Sequence, residues 1–297
     1  MIGGIIEDVD KEELNSLENE IFGSADLEIG SKFRMNVMKN DDYKQEKFEL
    51  GFWRNGRQPE KSGFPVGSSY LIQITPRKTM SKSEINVLLA TIWVWGNLGA
   101  VGSRARRGFG SPIIYHNENN NPFDIEVGDK KKIILPLREQ AFENVPDLED
   151  HLQMGLSNVW MIYKQWIKKN KIENLKVIGK DLGMTSAPEK VPYFILRSFE
   201  QISVGNFGIE NIGSAIERVH GSSRCDELGW AKGSRRMSSP VFFRFHKING
   251  INNEEFLPIF TWCKQRGING NCARTYLKKI EVNNEKLFSR NLLWGQL

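Results

Sequence analysis

Cysteine is scarce in this sequence. Its three residues, Cys225, Cys263 and Cys272, cannot form a disulfide framework, and none is spaced as in a zinc knuckle. Histidine is almost as sparse. His116, His151, His220 and His246 are scattered, with no HExxH pair, and His220 with Cys225 offers too few ligands for a zinc site. No metal or other cofactor is expected. Long apolar runs are missing as well. The longest, around Val87 to Trp95, falls well short of the ~18 residues that cross a membrane. The opening residues do not pair a basic segment with an apolar one, as a secretory signal does. The expectation is a cytoplasmic protein without a membrane partner.

The usual catalytic signatures are absent too. There is no GxSxG elbow. "GNLGAVG" spaces its glycines as GxxGxxG and comes after a helical pattern, whereas a dinucleotide fingerprint precedes one. "IGKD" at Gly179 and "KGSRR" at Lys232 lack the spacing of a Walker motif. Glu143, Asp147, Glu149 and Asp150 cluster, but at the start of a helical pattern, where acids suit the positive end of the dipole.

The residues that are present suit a globular chain of mixed class. The 297 residues are 39% hydrophobic and 26% charged, with a net charge of +5, enough for one large domain or two ordinary ones. Lys11 to Ile21 reads as a helix with Leu14, Leu17 and Ile21 on one face. "SKFRMNVM" and "SSYLIQITP" alternate as strands, with Phe48 to Trp53 as a hairpin arm and "RNGRQPEKSG" as a loop between them. Ser81 and Glu84 have capping-box spacing, and Ile85, Leu88, Leu89, Ile92 and Trp95 recur after them at helical spacing. "SPIIYH" reads as a short strand. The order resembles a βαββαβ unit without its first strand. Asparagine-rich "NENNNPFD" is the natural boundary, giving domains over 1–120 and 121–297. Beyond it, Asp147 to Lys169 is a long helix with Leu148, Leu152, Leu156, Val159, Tyr163 and Trp166 on one face. "VPYFILRS" and "PVFFRFHKI" read as strands, and Glu254 to Lys264 as a helix.

One segment stands out chemically. "GNLGAVGSRARRGFGSP", Gly96 to Pro112, holds five glycines and three arginines and no acid. Arg104, Arg106 and Arg107 repel one another unless an anion lies among them. Gly102, Gly108 and Gly110 let the backbone approach a ligand and expose N–H groups, with Ser103 and Ser111 beside them. Arginine gives planar, multi-donor phosphate contacts, and Phe109 is placed to stack on an unpaired base or to pack into the core. "WAKGSRRMSSP" repeats the style, with Trp230 near Lys232, Arg235 and Arg236. Aromatic and basic residues interleaved on loops suit single-stranded RNA. A metal-independent ribonuclease using His116 or His220, and a protein–protein adaptor, are alternative readings of the same residues.

"GNLGAVGSRARRGFGS" resembles the glycine-rich signature of the repeat-associated mysterious proteins (RAMPs) of CRISPR systems. Its double arginine before "GFGS" is similar to the head-subunit family of type III-B (Cmr) effector complexes. "LENEIFGSADLEIGSKFRMNV" and "GSRRMSSPVFFRF" are similar to further stretches of that family. The resemblance implies an α+β chain of two ferredoxin-like (RRM-like) domains. It implies a non-catalytic subunit that holds the 3′ region of guide (CRISPR) RNA and contacts single-stranded target RNA, beside other Cmr subunits. Carried over by position, Gly102 to Ser111 would face the guide, with Arg235 and Arg236 as a second contact. The family begins with a strand, a threonine–proline turn and a basic helix. This sequence opens on "MIGGIIEDVDKEEL", which resembles the family's stretch just past that helix. The expectation is a first domain lacking its first strand, completed by another chain or rearranged.

Overall fold

The computed structural model describes residues 6–7, 11–40, 44–49, 60–65, 67–102, 110–116, 121–127, 131–138, 140–170, 176–177, 194–198, 202–203, 230–232, 235–237, 241–249, 254–263 and 290–291. Its first half contains β1 (Ile6–Glu7), α1 (Lys11–Phe22), β2 (Phe33–Lys39), β3 (Glu46–Glu49), β4 (Glu60–Gly63), β5 (Tyr70–Pro76) and α2 (Lys82–Leu98). Then come β6 (Asp124–Val127), β7 (Lys131–Ile134), α3 (Val145–Lys169), β8 (Lys176–Val177), β9 (Phe194–Ser198) and β10 (Ile202–Ser203). β11 (Trp230–Lys232), β12 (Arg235–Met237), β13 (Val241–Asn249), β14 (Glu254–Cys263) and β15 (Arg290–Asn291) complete the described elements.

The architecture mixes helices with small antiparallel sheets. β2 pairs with β5 from Phe33↔Pro76 to Lys39↔Tyr70. Between them β3 and β4 form their own hairpin, so part of the expected "RNGRQPEKSG" loop is strand. β1, near the start of the chain, pairs with β8, which comes after α3. The largest described sheet has five strands. β14 lies between β13 on one side and β9 and β10 on the other, and β15 extends β9.

Helix α2 starts where the capping box placed it. Ser81 accepts from the Glu84 N–H, and the Glu84 carboxylate accepts from the Ser81 N–H. Lys32, just before β2, pairs with the same carboxylate and ties the sheet to the helix start. The inward face is only partly the expected one. Leu88 is buried and Leu89 and Ile92 pack against the core, but Ile85 is 38% exposed, and Val87, Ala90, Trp93, Val94 and Leu98 are buried as well. The helix is apolar nearly all round, so its own periodicity is weak, and packing against α3 decides which side turns inward. α3 keeps the expected face: Leu148, Leu152, Leu156, Val159, Tyr163 and Trp166 are all buried. Asn144 caps its start, accepting from the Asp147 N–H at 2.9 Å, with Pro146 in the first turn.

Two expected elements are overturned. Glu254 to Lys264 is not a helix, since Glu254–Cys263 is strand β14. Pro258 would have broken a helix interior, and Phe256, Phe260, Thr261 and Trp262 favour a sheet. Proline is tolerated here because pairing to β10 ends at Phe256 and pairing to β9 begins at Ile259, leaving Pro258 in the gap. "SPIIYH" is not a strand either, as 111–116 carry no strand assignment. Polar groups of that segment bond to side chains and backbone of β13 instead of a ladder.

One hydrophobic cluster runs through the described residues on both sides of residue 120. It joins Ile21, Trp93 and Leu98 to Leu135, Leu156, Trp166, Ile248 and Ile259. No described helix is long and apolar enough to cross a membrane.

Candidate nucleic-acid interface

The glycine–arginine segment leaves the C-terminal end of α2. Gly99 caps the helix, its N–H donating to Trp95 O at 2.8 Å. On either side of the segment the chain is joined, as Val101 N–H donates to Gly110 O at 2.9 Å. Gly102 (φ 88°) and Gly110 (φ 65°) both occupy the left-handed region. At Gly110 a Cβ would also run into the carbonyl of Val101, so glycine is required there on two counts. Both glycines are exposed and Ser111 is half-buried. Ser103, Arg104, Arg106, Arg107, Gly108 and Phe109, the head of the loop, lie outside the described residues.

The stems are fastened from β13. Arg244 is 2% exposed. Its Nη1–H donates to Gly99 O at 2.9 Å, and its Nη2–H donates to Pro112 O. Phe245 N–H donates to the Ser111 hydroxyl at 3.1 Å. His246 Nε2 lies 2.9 Å from Asn97 O and 3.2 Å from Arg244 Nε. A neutral ring serves one of these at a time, because Nε2 must be bare to accept and protonated to donate. From α3, His151 Nε2 meets Asn97 Oδ1 at 3.0 Å. Phe142 packs edge-on between both rings, 5.0 Å from His151 and 5.8 Å from His246. Arg138 covers the Phe142 ring at 4.8 Å and pairs with Asp147 at 2.6 Å.

The electrostatics of this seam are those of a dry joint. Burial, then the Arg138 charge, holds His151 down at about 4. Burial and Arg244 push His246 well below its usual value. Both rings are neutral at pH 7. Burial lowers Arg244 to about 9, so it keeps its charge. The recess lined by Asn97, Arg138, Phe142, His151, Arg244 and His246 holds about 30 Å³, room for a water or two rather than a nucleotide. No group of three metal-ligating side chains occurs among the described residues.

The second expected contact is a hairpin. β11 and β12 pair with Lys232↔Arg235, Ala231↔Arg236 and Trp230↔Met237. The sequence reading missed Arg244, His246, His151 and Asn97. A signal was there: "FFRFHK" puts Arg244 and His246 two apart in an otherwise apolar strand, a local rule-break of the kind that marks special positions.

Two solved structures match the chain at low scores. One is a cryo-EM structure of type III-B Cmr-beta bound to cognate target RNA and AMPPnP, in the presence of ssDNA. It has 12% identity and a TM-score of 0.47, over 92% of this chain and 86% of that one. The other, Cmr-beta bound to cognate target RNA, has 12% identity and a TM-score of 0.43, over 92% and 87%. At such scores the likeness is loose. No curated protein matches the sequence. The sequence model of the RAMP superfamily matches residues 2–113, a span that takes in α1, β2, β5, α2 and the basic loop up to Ile113. Residues 2–113 are therefore similar in sequence to the RAMP superfamily.

Proposed function

We propose that this protein is a non-catalytic, RNA-binding subunit of a type III-B CRISPR ribonucleoprotein. It holds the 3′ region of guide RNA, contacts single-stranded target RNA, and sits among other Cmr subunits in the cytoplasm. The chain is organised as two ferredoxin-like halves, 1–120 and 121–297, that share one core. Gly102 to Ser111 form the main contact, with Arg104, Arg106 and Arg107 on phosphates and Phe109 on a base. Lys232, Arg235 and Arg236 form the second.

The observation that carries this reading is the glycine-closed stem. A three-arginine segment without an acid lies in sequence between Gly102 and Gly110, both left-handed, inside the span that the RAMP superfamily model matches. Clustered arginines in that setting gain most from a phosphate chain. Both histidines at the base of the loop are buried, neutral and engaged in hydrogen bonds, which suits support rather than proton transfer.

Photocrosslinking of guide RNA to the assembled particle tests the reading. Crosslinks are expected within 102–111 and 230–237, and their absence from both segments overturns it. Incubation of the chain with repeat RNA in EDTA tests the non-catalytic part. Intact RNA is expected, whereas specific cleavage lost on changing His116 or His220 would make the protein a ribonuclease. Partners retained after nuclease digestion of the RNA would make it an adaptor.

A further inference from the structure

We propose that Arg244 is a positioning residue for the basic loop, fastening together the chain on its two sides and so lowering the cost of ordering that segment on RNA. The inference rests on the RNA-binding reading of that loop for its purpose, but not for its geometry. It concerns only how the ends of the loop are held.

Gly99, the cap of α2, lies three residues before Gly102, and Pro112 directly follows Ser111; the guanidinium of Arg244 donates to the carbonyls of both. The planar fork of arginine spans two acceptors at once, which a lysine ammonium does less well. No carboxylate is among its partners in the described residues. The compensating charge is the negative end of α2, where Asn97 and Gly99 present C-terminal carbonyls. A buried arginine carries a large desolvation cost, and an apolar residue would serve the core as well or better. That cost is explained if the residue does something an apolar side chain cannot. Phe245 and His246 add ties to Ser111 and Asn97 on the same edge of β13. Fixing the ends of a loop removes freedom that binding would otherwise have to remove, so affinity rises without a new contact.

Two readouts test this on the full chain, with Arg244→Met, Arg244→Lys and Ser111→Ala. The first is limited trypsin digestion under native conditions, with fragments identified by mass. Arg244→Met should raise cleavage at Arg104, Arg106 and Arg107 by at least about tenfold, the scale of losing even one hydrogen bond to a charged group. Arg244→Lys and Ser111→Ala should show smaller rises. Should Arg244→Met fail to fold, these two carry the test. Wild-type cleavage rates in the folded variants overturn the proposal.

The second readout is binding of a labelled oligouridine. Arg244→Met should weaken it about tenfold in the wild-type background and leave it unchanged in an Arg104→Ala, Arg106→Ala, Arg107→Ala background. Arg244→Lys should recover part of the loss. An equal loss in both backgrounds would mean that Arg244 does not act through the loop. If the wild-type chain does not bind oligouridine at all, the RNA reading fails, and the trypsin result still decides the role of Arg244.

Discussion

Replacing Gly155 with alanine should loosen the seam on which the loop is mounted. Gly155 sits in the middle of α3 against Trp93 of α2, whose side chain is fully buried. A Cβ there would fall on the Cζ2, Cη2 and Cε2 atoms of the indole. The ring has little room to give way, because Nε1–H donates to Pro136 O at 2.6 Å and the His151 ring lies 5.8 Å off. Alanine gains about 1 kcal/mol over glycine in a helix interior. Overpacking costs about 1–3 kcal/mol. If the ring swings, its orphaned N–H costs a further 1–3 kcal/mol or so. The net loss is about 1 kcal/mol if the ring holds and about 3 kcal/mol if it swings, read as a lower urea midpoint. Gly30→Ala, where an added Cβ meets nothing within 4 Å, is the control and should stay within about 0.5 kcal/mol. A Gly155→Ala midpoint equal to or above wild type would refute the packing argument.

Gly110→Ala should weaken RNA binding and lower the urea midpoint. A left-handed alanine costs roughly 1–2 kcal/mol, and its Cβ also meets the Val101 carbonyl; equal affinity in a filter-binding assay would speak against a role for the stem. Stability should also fall with acid. His151 is near 4 folded against an ordinary 6.5, so between those values the unfolded chain binds the extra proton more readily. That costs about 2 kcal/mol between pH 7 and pH 5 from this residue alone, and His246 adds in the same direction. Urea midpoints that stay flat from pH 7 to pH 5 would contradict neutral, buried rings.

Local signals in the sequence translated well into structure where one face of an element was plainly apolar. The α3 stripe and the capping box of α2 both came through, because spacing and caps are properties of neighbouring residues. The inward face of α2 came through only in part, since an almost uniformly apolar helix takes its orientation from its neighbours. "EEFLPIFTWC" was misread because its apolar residues fit a helical wheel, while Pro258 and the aromatic residues argued for a strand. The basic loop was legible as chemistry, through dense arginine and glycine without acid. Its mounting was not, because Arg244 meets Gly99 and Pro112 from more than a hundred positions away. Only the costly choice of an arginine inside an apolar strand hinted at it.

The most direct measurement is the salt dependence of guide-RNA affinity in the wild-type chain and in the Arg104→Ala, Arg106→Ala, Arg107→Ala variant. Each phosphate neutralised on a single strand contributes about 0.7 to the slope of log affinity against log salt. The variant should therefore be shallower by about 2, with weaker binding at low salt. Identical slopes would mean that those arginines do not sit on RNA phosphates, and the account of the loop would fall.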